Sequence, residues 1–482
     1  MLDERNVTTL MDFYELTMAN GYFENKSQDK VAIFDVFYRE NPDDAGYAIF
    51  SGLDEIINYI LNFKFDEKDI EYLRSLKVFR EPFLKYLKDF NFKGDVYAFK
   101  NGSIIYPNEP IITVVAPLID AQLLETGLLL YFNHESLITT KANRVVLSAK
   151  GRPVSDFGAR RAHNVDSALF GAKASYIGGV SSTATVMAGE KFGIPISGTM
   201  AHSWVMSFDS EYDAFLSYAK LYPTNTVLLI DTYDVLRCGI KNAIKVNKDY
   251  LIPNGFRLKA VRIDSGDLAY LSKKCREELD KNGMNDCKIS VTNSLDEFKI
   301  TSLLEQDAAV DLFGVGENMI TAKSNPVFGG VYKLVAIEEN GQITPKIKVS
   351  AMVEKTTNPG FKDVYRVYDE NNKSIADLIT MHGEKIDETK PYYFVDPNKP
   401  WKNLSFANCK FKSLRGKIIE NGKLIIPLPS IEEVKTFVRY QVNNELWEEE
   451  KRFVMPHTHY LDFSKDYYEL KLKLLKENKF DE

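Results

Sequence analysis

The chain has 482 residues, more than one ordinary domain holds, so two or three compact units are expected. Its hydrophobic fraction of 44% and charged fraction of 27% are those of a globular protein, which excludes general disorder. A formal net charge of −7 argues against broad nucleic-acid binding and against a polybasic membrane surface, while leaving room for a local cluster of Arg and backbone amides that holds a phosphorylated ligand.

The N-terminal stretch has no basic region followed by an apolar core, and no apolar run is long enough to span a bilayer. Cys238, Cys275, Cys287 and Cys409 form no C-x-x-C pair, so the expected setting is a reducing cytoplasm. Residues 1–125 mix helical and strand patterns. FSGLDEIINYILNF has the spacing of an amphipathic helix, and strands flank a predicted hairpin turn at Asn101-Gly102.

From 126 to 340 the pattern becomes β-α alternation. Seven short apolar segments end in polar residues and lead into helical stretches: PVSDFGARR, SYIGGVSS, PISGTMAHS, VLLIDTYD, AVRIDSGD, KISVTNSLDE and DLFGVGEN. Such alternation implies a parallel sheet, and this many units favours an irregular (β/α) barrel over an open doubly wound sheet. Ser294 and Glu297 read as a capping box. From 341 to 482 the chain turns β-rich, with hairpins expected at Asn340-Gly341 and Asn421-Gly422. A helix start is expected at Ser430–Glu433, and a terminal helix in SKDYYELKLKLLKEN.

In a parallel barrel the carboxyl ends of the strands build the site. Here those ends carry Asp156, Arg160, Arg161 and His163; Thr199 and His202; Asp231 and Asp234; Arg262, Asp264 and Asp267; Asn293 and Ser294; and Gly314 and Gly316. An Asp or Ser at a strand end is often only a helix cap. Six ends with the same bias exceed what capping requires. Arg, loop Gly and Asn/Ser suit phosphate and diphosphate oxygens. The acids can take ribose hydroxyls, coordinate Mg²⁺ or orient a histidine, and Phe157 offers a face to a flat ring. Neither a Walker A motif nor a GxGxxG after a strand is present.

FYELTMANGYF, SDFGARR, GTMAHSW, IDTYD, VRIDSGDL, FGVGENMIT, GGVYKLV and EKTTNPGFKDVYR, in this order from about residue 8 to residue 366, resemble the nicotinate phosphoribosyltransferase family. The resemblance implies a type II phosphoribosyltransferase fold: an irregular α/β barrel with a mixed α+β domain formed by the N-terminal and C-terminal segments. It implies transfer of phosphoribose from 5-phosphoribosyl 1-diphosphate to nicotinate, with Mg²⁺, coupled to ATP hydrolysis through a phosphohistidine. A homodimer with a shared site is also implied.

Carried onto this sequence, the resemblance makes His202 the phosphorylated residue. Tyr14, from the partner subunit, and Phe157 would sandwich the pyridine ring. Thr199 and Arg262 would touch nicotinate, and Arg160 or Arg161 its carboxylate or the sugar phosphate. Asp231 and Asp264 would orient the histidine, the ribose or Mg²⁺. Ser265, Gly266, Asn293, Ser294, Gly314 and Gly316 would hold the phosphoribosyl part.

One position departs from the family, which usually has Thr after Gly-Val-Gly; here it is Glu317. A carboxylate beside a phosphate repels it unless it turns away or meets a cation, and Thr321 or backbone amides would then take over. Ala184 stands where nicotinamide-using relatives would carry an Asp, which favours the acid substrate. The alternatives are a nicotinamide phosphoribosyltransferase, or a barrel sugar-phosphate aldolase or isomerase. The latter needs a Lys or Glu at a strand end, and Lys173 is only nearby. His457 and His459 are expected to be surface or packing residues.

Overall fold

The computed structural model describes residues 5–28, 30–350, 356–397, 399, 401 and 403–478. Glu354 and Lys355 of the EKTTNPGFKDVYR motif lie outside the described residues. The chain divides into two compact units, Ile138–Pro326 and a unit made from Met1–Leu137 with Val327–Glu482.

The central unit is built on a parallel sheet. Its strands are β1 (Val154–Asp156), β2 (Ser182–Thr183), β3 (Val227–Leu229), β4 (Ala260–Ile263), β5 (Lys288–Val291) and β6 (Leu312–Val315). They lie in the order β2-β1-β6-β5-β4-β3. Ile196 adds a parallel bridge to Thr183 outside β2. Numbered along the chain, the seven segments therefore run 3-2-1-7-6-5-4. This is the cyclic order of a barrel opened at one seam, and the seam falls between the third segment, Ile196, and the fourth, β3. All seven ends expected from the sequence lie on this one sheet. SYIGG, however, closes the helix Val165–Ile177, and the strand is the Ser182–Thr183 that follows.

Alternation along the strands separates two faces. Val154, Val261, Ile263, Ile289, Val291 and Phe313 are almost wholly buried in the main core of this unit. Between them, Arg262 pairs in register with Ser290, and Gly314 with Ser155. The polar and small residues thus share the opposite face and lead towards the strand ends.

In the other unit, N- and C-terminal segments share sheets, as the resemblance implied. Val31–Phe37 pairs antiparallel with both Ile112–Pro117 and Val331–Glu339, and Asp95–Phe99 pairs with Arg415–Glu420. The Asn340-Gly341 and Asn421-Gly422 turns both have two residues at positive φ and close tight hairpins. Asn101-Gly102 is different. It turns the chain, but Ile104–Ile105 pairs with Ala48–Ile49 and not with Asp95–Phe99, so it closes no hairpin.

The Ser430/Glu433 capping box and the helices Leu53–Asn62 and Lys465–Glu477 form as expected. The His459 side chain is buried, stacked 3.7 Å from the Tyr106 ring, with Nδ1 3.1 Å from Glu450, whereas His457 is exposed. Among the described residues no helix is long and apolar enough to cross a membrane.

Candidate active site

Two of the strand-end acids tie neighbouring loops together, Asp231 by holding the loop that carries Asp264. After β3, Asp231 Oδ2 accepts hydrogen bonds from the Asp264 amide at 3.0 Å and from the Ser265 hydroxyl at 2.6 Å. Its other oxygen, Oδ1, is buried without a hydrogen-bond partner. After β4, Asp264 accepts from the Thr292 hydroxyl, and its Oδ2 lies 3.8 Å from His202 Nε2. His202 starts the short helix His202–Met206, and its Nδ1 lies 3.1 Å from Thr232 Oγ1. The imidazole thus meets a hydroxyl at Nδ1 and faces a carboxylate across 3.8 Å at Nε2, with about two fifths of its side chain exposed.

The neighbouring acids have the plain structural role. Asp234 accepts from the Leu236 and Arg237 amides, and these bonds hold its carboxyl below the usual range. Asp267 accepts from the Tyr270 amide. Both cap helices. The sequence had placed four acids together, and the structure separates two loop-binding carboxylates from two caps.

Arg262 rises from β4 and stitches in the segment after Ile196. It donates to Thr199 Oγ1 at 2.6 Å and to the Met200 carbonyl at 3.1 Å. Burial lowers the pKa of its guanidinium; Asp264 and Asp231 oppose that, and the positive charge of Arg160 adds to it. Arg160 and Arg161 lie exposed in the turn Ala159–Arg161 after β1, and His163 is exposed just beyond. Asp156 is buried instead. It accepts from the Gly158 amide at 2.8 Å and the Thr183 hydroxyl at 2.7 Å, bracing the turn that carries Phe157.

Phe157 lies over Gly314, where a Cβ would come within 2.6 Å of the ring and 2.5 Å of Thr292. Glycine is therefore required there by close approach. Asn293 and Ser294 follow β5 with φ of 98° and 48°, two consecutive non-glycine residues in left-handed backbone. Such strain persists only where surrounding contacts impose it. Ser294 is not a cap. Asp296 caps the helix Glu297–Glu305 through the Lys299 amide, and Glu297 is buried against Lys141 and Arg144 at 2.9 and 3.0 Å. The expected Ser294/Glu297 box fails because Asp, an equally good cap, stands nearer the helix start.

Glu317 has met cations: Lys323 Nζ is 2.6 Å away and Arg161 Nε 3.6 Å, and Lys323 chiefly lowers its pKa. The Thr321 hydroxyl donates to the Glu317 carbonyl at 2.7 Å. Gly266 has φ 82°, in the loop held by Asp231. Ala184 is exposed just past β2. Tyr14 lies in the other unit, exposed on the helix Phe13–Glu24. Lys173 is buried in the helix Val165–Ile177 with its ammonium 5.7 Å from the Phe192 ring, and it is not at a strand end. One residue absent from the sequence-based set is Asn318, whose side chain reaches the Ser294 loop. Its neighbour Glu317 stands out as a departure from the Thr usual in the family, whereas an Asn inside a helical stretch gives no local signal.

A parallel barrel sheet with a histidine and two carboxylates at neighbouring strand ends, and arginines and left-handed loops on the same side, defines an α/β-barrel protein whose polar strand ends have the chemistry that suits an anionic ligand. Comparison with known proteins is more specific. Models of the nicotinate phosphoribosyltransferase N-terminal domain, family and C-terminal domain match residues 9–133, 153–371 and 361–471. The chain is 41% identical to the nicotinate phosphoribosyltransferase of Bacillus subtilis (strain 168) over 471 residues, 97% of this chain and 95% of that one. It is 28% identical to the human nicotinate phosphoribosyltransferase, over 90% of each chain. The crystal structure of human nicotinic acid phosphoribosyltransferase superposes with a TM-score of 0.84 at 26% identity, covering 97% of this chain and 100% of that one. The chain belongs to the nicotinate phosphoribosyltransferase family.

Proposed function

We propose that the protein makes nicotinate mononucleotide and diphosphate from nicotinate and 5-phosphoribosyl 1-diphosphate, coupled to ATP hydrolysis through phosphorylation of His202. This would be the first step of NAD synthesis from nicotinate. The observation that carries the coupling is the placement of His202 between Thr232 and Asp264 at the barrel seam.

In the transfer, the pyridine nitrogen forms a bond to the anomeric carbon as the bond to diphosphate breaks. Positive charge develops on the ribose, and Asp264 is placed to stabilise it. Phe157 stacks on the ring and sets the line of attack, with Tyr14 of a second copy in a homodimer on the other face. Arg262 with Thr199, and Arg160 or Arg161, take the carboxylate and phosphate charges. Asn293, Ser294, Gly314 and Gly316 line the phosphate loops. The ring nitrogen is a neutral nucleophile, so the transfer needs no general base.

The residues fit Mg²⁺: the buried, unpartnered Oδ1 of Asp231 and the Asp264 carboxylate are hard oxygen donors. They would hold it together with diphosphate oxygens, and the ion would supply charge neutralisation of the leaving group.

Phosphorylation of His202 adds nearly two negative charges at a ring whose Nε2 is 3.8 Å from Asp264. Two like unit charges about 4 Å apart repel by roughly 4 kcal/mol at an effective dielectric near 20. That repulsion gives ATP a lever on the Asp264–Ser265 loop. Four free cysteines suit a cytoplasmic protein.

Nicotinate is favoured over nicotinamide because Ala184, not a carboxylate, stands at the end of β2. Competing the two bases for the phosphoribosyl donor in one reaction, with products weighed by mass, tests the substrate. Exclusive formation of nicotinamide mononucleotide would overturn it.

A further inference from the structure

The two phosphate loops meet through one side chain. Asn318 Nδ2 donates to the Ser294 carbonyl at 2.8 Å and lies 3.3 Å from both the Leu295 carbonyl and Asp296 Oδ2. The same Ser294 carbonyl accepts from Lys299 Nζ at 2.6 Å. Thus two donors converge on the one peptide that follows the left-handed pair Asn293 and Ser294. Left-handed backbone at two successive residues with side chains is costly by itself, and it holds only if the carbonyls it presents are satisfied.

Both sides of this contact are tied to a common post. Glu297, the residue after Asp296, is buried with Lys141 at 2.9 Å and Arg144 at 3.0 Å. Lys141 also donates to Ser324 Oγ at 2.7 Å, beyond the Glu317–Ile320 turn that carries Asn318. The helix after β5 and the segment after β6 are therefore fixed to the same ammonium, and Asn318 spans the distance between them.

We propose that Asn318 is a positioning residue for the phosphoribosyl donor. Its amide locks the Asn293–Asp296 loop in the left-handed form that presents backbone N–H groups to phosphate. This inference rests on the phosphoribosyl-transfer reading above. Asn318 need not touch the donor to act this way. It acts through the loop's backbone, so its loss should weaken donor binding and leave nicotinate binding alone.

The test is steady-state kinetics and thermal unfolding of the wild-type protein beside Asn318→Leu, which keeps a similar shape and removes the donor without adding a charge. The wild type is assayed first: if it makes no nicotinate mononucleotide, the functional reading fails. If it is active, the variant's KM for the phosphoribosyl donor should rise about tenfold, with nicotinate KM within about twofold and Tm little changed. Unchanged donor KM, or equal loss for both substrates, overturns the proposal and leaves the functional reading standing. If Asn318→Leu fails to fold, Lys299→Met removes the second donor to the same carbonyl from an exposed position. It should show the same split between substrates, and no split there overturns the proposal.

Discussion

His202 and Thr232 meet across the seam of the barrel. The histidine follows the third strand segment and the threonine the fourth, and no strand pairing joins these segments among the described residues. Their contact, Nδ1 to Oγ1 at 3.1 Å, is a side-chain link where the sheet has none. A residue at such a seam can move with less disruption of the sheet than one between paired strands, because no ladder of backbone hydrogen bonds has to break. Such a place suits the phosphorylation and dephosphorylation proposed for His202.

The contrast between Asp231 and Asp267 predicts separable effects. Asp231→Ala leaves the Asp264 amide and Ser265 hydroxyl without an acceptor and frees the loop that faces His202. Turnover should fall by about a hundredfold or more. Asp267→Ala removes a cap, and should lower Tm by ~2 °C with kcat nearly unchanged. Kinetics and a melting curve for each variant check this pair.

On the proposed function, Glu317 competes with phosphate for Arg161 and Lys323. Both pairs are largely exposed, so the carboxylate holds the cations only loosely. Glu317→Thr should lower the KM for the phosphoribosyl donor about threefold at low ionic strength, and the difference should shrink towards roughly 0.2 M salt. A rise in KM would mean that Glu317 organises the cations more than it repels the ligand.

Glu15 is fully buried on the helix that carries Tyr14, and burial pushes its carboxyl up to about 7 from an ordinary 4.5. The folded chain therefore holds a proton that the unfolded chain releases at lower pH. The stability it contributes is present below about 4.5 and is lost as pH rises through about 7. Melting curves of wild type and Glu15→Gln over this window should converge at the acid end. Above it, the variant should be the more stable of the two.

Much of this architecture was legible from local chemistry. The seven strand ends could be read because apolar runs closed by polar residues mark a parallel sheet, and the hairpins at Asn340-Gly341 and Asn421-Gly422 because both residues adopt positive φ. Asn101-Gly102 misled because a turn signal does not say which strand will pair with which, and Ile104–Ile105 pairs instead with Ala48–Ile49, about 55 residues earlier. Capping failed at Ser294 for a related reason: Asn293, Ser294 and Asp296 compete as caps, and the choice depends on where Glu297 is buried. The division of the acids into loop holders and caps, and the reach of Asn318 across to Ser294, are tertiary facts with no periodicity to announce them.

In the proposed function, His202 carries the phosphate that couples ATP to phosphoribosyl transfer. The most direct measurement incubates wild type and His202→Ala with nicotinate, the phosphoribosyl donor and Mg²⁺, with and without ATP, and reads product by mass. The account predicts that ATP accelerates the wild type and not the variant, which keeps slow transfer. Full ATP stimulation of His202→Ala would contradict it.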